Sequence, residues 1–326
     1  MKAKTIKAVL RKKIDAWLAT IEDPGLREQV GKNVIVTGGC IASMLLREKV
    51  NDIDVYFRDY NTAFKVAQHY VDRFQAETNP QGRSGIPVRM FLANEHGAEM
   101  KMPEATPGRI KIVLKSAGIA SEDGAEKPYE YFESRAPEAA GDYVSEVMDD
   151  PGEIVDKLEN VKAALDPDEG KPRYRPVFLS ANAITLANQV QLIIRFYGEP
   201  DAIHENYDFV HCTCYYDNGS GQLVLRPDAM EALLTKELRY VGSKYPLCSL
   251  IRVRKFVGRG WTINAGQVLK MAMQVSALDL TNHKVLEDQL TGVDVAYFAE
   301  IIHKVKEKDP EKVNSAYLIE IIDRMF

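Results

Sequence analysis

Thr37-Gly-Gly-Cys-Ile-Ala-Ser-Met-Leu-Leu-Arg-Glu-Lys-Val-Asn-Asp-Ile-Asp-Val-Tyr56 is the stretch on which the reading of this chain turns. The apolar run Val34-Ile35-Val36 ahead of it has the character of a buried strand, and Gly38-Gly39 end that strand where the backbone must turn sharply and approach a ligand closely. A helix is expected next, with Ile41, Met44 and Leu45 on one apolar stripe and Glu48 a turn further on. Glycines that open a helix leave its first amides facing outward. Those amides and the helix dipole together favour a polyphosphate.

Asp52-Ile53-Asp54 reads as the next strand, because Val50, Ile53, Val55, Tyr56 and Phe57 favour β-structure and Asn51 marks the turn before it. Alternation along a strand puts both carboxylates on one face. Neighbouring carboxylates repel unless a divalent cation lies between them, and Mg2+ is commonly held by one or two carboxylates plus substrate phosphates. A lone Asp-x-Asp is more often a solvated strand end. Here twelve residues of helix-then-turn character separate Gly39 from Asp52, which ties the pair to the diglycine.

With those residues in place, the segment resembles the head domain of class II tRNA nucleotidyltransferases and bacterial poly(A) polymerases, within the DNA polymerase β-like nucleotidyltransferase superfamily. Gly38, Gly39, Asp52 and Asp54 match the signature in type and spacing. The likeness resumes at Tyr207-Asp-Phe-Val-His-Cys-Thr-Cys-Tyr-Tyr-Asp217 and runs on through Tyr245-Pro-Leu-Cys248 into the basic segment that ends near Ile263. It implies an α+β fold: a palm-like mixed sheet with flanking helices, a large insertion and a C-terminal helical domain. It also implies a metal-dependent transferase that moves a nucleoside monophosphate from an NTP to an acceptor hydroxyl, with an RNA 3' end as the first choice, and releases pyrophosphate. Mg2+ or Mn2+ would be the cofactor, at Asp52 and Asp54.

The chain also departs from that pattern. Ala42-Ser43 replace an Arg-Asp pair, and Asn206-Tyr207 stand where the family has two arginines. The positions that read the base edge correspond to Tyr245 and Cys248, which cannot present the same donors and acceptors. Base selection by the family's mechanism is therefore not expected. The third carboxylate of the superfamily falls at Gln191, a neutral amide on the strand Gln189 to Phe196. Asp208, on an expected strand between Tyr207 and Phe209, is the candidate to replace it; Glu205 is a poorer one.

Phosphate chemistry also calls for cations. Arg252, Lys255 and Arg259 fall at i, i+3 and i+7, separate from the apolar stripe of Leu250, Val253, Phe256 and Val257. A solvated surface face is the bland reading. The resemblance favours phosphate contact by Arg252 and Lys255, and Arg195 is a weaker candidate of the same kind.

Composition fits this picture. A chain of 326 residues with 45% apolar content can bury a sizeable core in two or three units. A net charge of -5 argues against a broad nucleic-acid-coating surface, though local basic stripes remain compatible with RNA binding. No apolar run approaches the length of a membrane span and Met1 to Lys12 lacks a signal-peptide core, so a cytoplasmic location is expected. Cys40, Cys212, Cys214 and Cys248 are too few and scattered for a disulfide framework. His211 reads either as an aid to proton transfer or, better, as a packed histidine.

The expected organisation is an N-terminal helix and first half of the core over 1–76, an insertion over 77–175, the second half of the core over 176–242 and a neck-like helical domain over 243–326. Ile6 to Thr20 forms the first helix, closed by Asp23-Pro-Gly25, and Thr62 to Phe74 another. Strands are expected at Pro87 to Leu92 and Arg109 to Leu114, and the insertion's role is left as a lid, a partner surface or a bacteriophage-style embellishment. Hairpins pair Ala183 to Leu186 with Gln189 to Phe196, and Tyr207 to Tyr216 with Gln222 to Leu225 across Asn218-Gly219. From Arg226 onward the pattern is helical. About 65 residues follow Gly260, too few for a grip on a whole tRNA. Two other functions stay open: a toxin-like transferase acting on a protein or small molecule, and a catalytically silent nucleotide- or RNA-binding module.

Overall fold

The computed structural model describes residues 1–78, 88–93, 100, 108–114, 173–179, 182–280, 285 and 289. Two compact units divide the chain: Met1–Lys115 with Pro172–Lys244 and Gly260–Lys270, and Ser116–Lys171 with Tyr245–Arg259 and Met271–Phe326. The first unit is an α+β structure around a seven-stranded mixed sheet. Its strands are β1 (Val34–Thr37), β2 (Ile53–Phe57), β5 (Pro176–Leu179), β6 (Ala183–Leu186), β7 (Val190–Tyr197), β8 (Tyr215–Asp217) and β9 (Gln222–Val224), in the order β5-β6-β7-β2-β1-β8-β9. Within this sheet only the β2/β7 pair is parallel. β3 (Val88–Ala93) and β4 (Arg109–Leu114) form a separate antiparallel hairpin, close to the strands expected there.

Strand alternation sorts the central sheet into two faces. Val34, Val36, Val55, Phe57, Leu192 and Ile194 point to the side packed by helices and are completely buried. Among those helices α4 (Tyr60–Thr78) contacts β2 and β7. It buries Ala63, Val66, Ala67, Tyr70, Val71 and Phe74, the i, i+3, i+4, i+7 stripe of a core-facing helix. Asp59 caps α4, accepting from the Thr62 amide and hydroxyl at 2.8 Å each. α1 (Ala3–Leu18) buries Ile6, Leu10, Ile14, Trp17 and Leu18, and the indole of Trp17 donates to the Tyr70 hydroxyl at 2.7 Å. Val9 lies off this stripe and is 40% exposed.

The other face carries Ile35, Thr37, Asp54, Tyr56, Gln191, Ile193 and Tyr215, as the register Ile35↔Tyr56, Thr37↔Tyr215 and Asp54↔Gln191 requires. It is covered in part by Ile203 of a short helix, α5 (Pro200–His204), with Phe196 and Tyr207 packed beside it.

Several local expectations change. Asp23-Pro24 does not merely close α1; it starts α2 (Pro24–Asn33), with Asp23 accepting from the Gly25 and Leu26 amides and Pro24 in the first turn, where its missing N–H costs nothing. The helix after the diglycine, α3 (Gly39–Leu46), stops before Glu48, because Arg47 adopts a left-handed conformation with φ 62°. Residues 207–214 are not a strand: a bend at Asp208 leads into a 3-10 turn, Val210–Cys212, and only Tyr215–Asp217 pair in the sheet. The β8/β9 turn does not use positive φ at Asn218-Gly219. Asp217 instead accepts from the amides of Gly219 and Ser220 and from the Ser220 hydroxyl, and Gly221 takes the positive φ. Gly219 is needed for another reason, since a Cβ there would lie 2.5 Å from the Lys32 carbonyl oxygen.

The segment from Arg226 is helical only in pieces. α6 (Pro227–Thr235), α7 (Pro246–Gly258) and α8 (Ala265–Ser276) are helices, but Glu237–Leu238 (β10) and Thr262–Ile263 (β11) pair as a short parallel ladder between them. The expected helix over Ala296 to Val305, and most of the insertion, fall outside the described residues.

Candidate active site

The site begins at a backbone turn. Gly38 has φ 99° and ψ -158°, a region essentially reserved for glycine. Its side of the bend is also crowded: a Cβ there would lie 2.9 Å from Asp54 Oδ2 and 3.5 Å from the Tyr207 hydroxyl. Asp54, in β2, is therefore set directly against the diglycine. Gly39 differs, with an ordinary φ and no atom within 4 Å of an added Cβ. The two glycines thus answer to different demands.

Three hydrogen bonds fix the bend to the segment 204–214. The Gly38 amide donates to the Cys212 carbonyl at 3.1 Å, so it is spent on the protein itself. The Thr37 hydroxyl lies 2.9 Å from the Cys214 carbonyl and 2.8 Å from His204 Nε2. A single arrangement satisfies both: Thr37 donates to Cys214 and accepts from a neutral imidazole protonated at Nε2. The amides that open α3, from Gly39 onward, have no carbonyl of their own helix to bond.

Asp52 is exposed and lies one residue before β2, while Asp54 is half-buried within it. Both act electrostatically on Cys40 in the first turn of α3. Burial drives that thiol's pKa far up, with Asp54 and, more weakly, Asp52 adding to the effect. All four cysteines are free thiols, and Cys40 is a buried, protonated one. Gln191 is paired with Asp54 on the neighbouring strand and is buried, its amide 3.4 Å from the Thr185 hydroxyl. Among the described residues no group of three or more His, Cys, Asp or Glu could hold a metal ion. Two carboxylates and a neutral amide fall short of the acids that a three-carboxylate, two-metal centre needs.

The remaining candidates are placed as follows. Asp208 lies in the bend after Tyr207, and its carbonyl accepts from the Val241 amide at 2.9 Å. Arg195 is half-buried, with its guanidinium 3.2 Å from Asn182 Oδ1, which also accepts from Arg109; these bonds fasten the sheet. Arg252 and Lys255 are exposed on α7, which belongs to the second unit. His211 is buried in the 3-10 turn, its ring 4.3 Å from the Trp261 ring, and is a packed histidine.

Sequence reasoning passed over Thr37 and His204. Their contact spans 167 residues, so no local pattern could show it. Burial, with Arg226 adding to it, pushes the His204 imidazole from its ordinary 6.5 down to about 4, partly opposed by Asp201. The unfolded chain therefore binds a proton between those values while the folded chain does not, and stability falls as pH drops from about 6.5 to about 4. His204 should contribute on the order of 2 kcal/mol to that loss. Chemical denaturation at pH 7 and pH 4.5 should show a shallower loss in His204→Gln than in wild type; equal losses would remove His204 from the account.

Residues 8–236 match the Gabija anti-defense 2 family, and the chain belongs to that family. It is 21% identical over 123 residues to Gabija anti-defense 2 of Bacillus phage SPbetaL7, a match covering 37% of this chain and 31% of that protein. The chain thus spans about a third of the length of this curated relative. Among solved structures it is similar to a tRNA-processing enzyme with CTP (TM-score 0.36, 12% identity, 90% of this chain and 56% of that one). It is also similar to the Thermotoga maritima CCA-adding enzyme complexed with tRNA (TM-score 0.33, 12% identity, 96% and 53%) and to an apo tRNA-processing enzyme (TM-score 0.36, 10% identity, 100% and 72%). No helix of the described residues is long and apolar enough to cross a membrane.

Proposed function

We propose that the diglycine bend and the Asp52/Asp54 pair bind a metal-nucleotide complex, and that the protein is a nucleotidyltransferase moving a nucleoside monophosphate to an acceptor hydroxyl. The observation that carries this reading is the placement of the Asp54 carboxylate directly against Gly38, at the start of α3. The opening amides of α3 would take the phosphates, with Gly39 letting them approach. Asp52 and Asp54 would hold Mg2+, which when bound supplies charge neutralisation at the reacting phosphate. Asp208 would be an additional carboxylate. Arg252 and Lys255, on the second unit, would bind phosphates of an RNA. Residues 1–76 and 176–242 would make up the core, 77–175 an insertion and 243–326 a helical appendage. This chemistry needs cytosolic NTPs, and would serve the anti-defense role in the family's description.

A second reading is favoured by Gln191: with a buried amide next to Asp54, the site would bind a nucleotide or RNA without turnover. Titration calorimetry with each Mg-NTP, followed by incubation with labelled NTPs and either RNA or protein extracts, tests both. Binding followed by label on a macromolecule and pyrophosphate release supports a transferase, and the labelled species gives the acceptor. Binding without release supports the silent module. No binding of any NTP overturns the transferase, and no binding of NTP or RNA overturns both.

A further inference from the structure

We infer that Tyr207 is a ligand-contacting residue of this site, donating a hydrogen bond from its phenol O–H to an oxygen of the nucleotide held at the diglycine bend. The inference rests on the nucleotide reading and adds to it a recognition group outside the carboxylate pair.

Four observations lead there. The Tyr207 hydroxyl is shut off from solvent and makes no hydrogen bond of normal geometry among the described residues, although the Tyr56 and Thr37 hydroxyls lie near it. An isolated buried hydroxyl is destabilising, so its retention calls for a partner that comes and goes. Its position is the second: it lies 3.5 Å from the point above Gly38 that Asp54 Oδ2 approaches to 2.9 Å. Phenol and carboxylate thus flank the same bend. Third, a phenol is a neutral hydrogen-bond donor at neutral pH. A phenolate would repel phosphate; a neutral O–H attracts it.

The fourth is rigidity. The Tyr207 ring packs against His204, with centroids 5.0 Å apart, and against Tyr56 at 6.0 Å. His204 is in turn fastened to Thr37, the residue before the bend. The Thr37 hydroxyl is already engaged by His204 and the Cys214 carbonyl, which leaves it no proton for Tyr207. A donor held in place before the ligand arrives loses little entropy when it binds, as a preorganised contact should.

Tyr207→Phe removes only the hydroxyl. The variant should melt no lower than wild type, because an unpaired buried polar atom is gone. It should bind Mg-ATP, or whichever Mg-NTP binds wild type best, at least roughly 10-fold more weakly. Inorganic tripolyphosphate with Mg2+ serves as the sugar-free probe. A matching loss with tripolyphosphate places the contact on a phosphate oxygen, and a loss confined to NTPs places it on the sugar. Equal NTP affinity in the two proteins overturns the inference and leaves the nucleotide reading standing. A variant that melts several degrees lower assigns Tyr207 a structural role and also overturns it. If wild type binds no NTP, both fall.

Discussion

Replacing Asp52 and Asp54 together by Asn should abolish nucleotidyl transfer, a fall of at least roughly 10^3-fold, with an unchanged circular dichroism spectrum and thermal midpoint. The amide has the shape of the acid without its charge. Asp52 is exposed and Asp54 half-buried at the end of the sheet, so neither supports the core. Mg2+ should drop out of the NTP-binding equilibrium as well: wild-type affinity rises with Mg2+ and the variant's does not. Unaltered turnover and unaltered Mg2+ dependence in the double variant would be incompatible with the proposed site.

The two glycines should separate folding from binding. Gly38→Ala places a methyl group 2.9 Å from Asp54 Oδ2 on a backbone at φ 99°. The strained backbone costs about 1–3 kcal/mol, and the carboxylate must move to relieve the clash. The variant should lose stability and ligand binding together. Gly39→Ala meets neither obstacle in the protein. In the first turn of α3 an alanine should hold stability or raise it by about 0.5 kcal/mol. Yet the space its methyl enters is where phosphates would approach, so Mg-NTP affinity should fall at least roughly 10-fold. Thermal melts and calorimetry on the pair decide the matter. Retained NTP affinity in Gly39→Ala would show that nothing binds against that amide.

What could be read from the sequence was local. Val34 to Val36, the diglycine and Asp-x-Asp each announced themselves through residue type, and the structure has β1, α3 and β2 in that order. Gln191 was legible only through the resemblance, which put the superfamily's third carboxylate at that position, and it does pair with Asp54. Turn chemistry was harder. Asp23-Pro24 has the composition of a stop and of a start, and only the hydrogen bonds from Gly25 and Leu26 reveal a start. Residues 207–214 have the β-favouring aromatic and cysteine content of a strand. They are nevertheless a bend and a 3-10 turn, because Gly38, Thr37 and Val241 need their carbonyls at particular points. The polar surroundings of the bend, Thr37, His204 and Tyr207, come from distant segments and leave no periodic trace.

The parallel pairing of β2 with β7 has a consequence for assembly. Residues Val34 to Phe57 own the bend and its acids, whereas the amide, imidazole and phenol around them all arrive from beyond Val190. Under the proposed reading, neither portion of the polypeptide carries the whole site. Closing so long a stretch of chain is entropically slow, so ligand-binding capacity should be among the last properties a newly made molecule acquires.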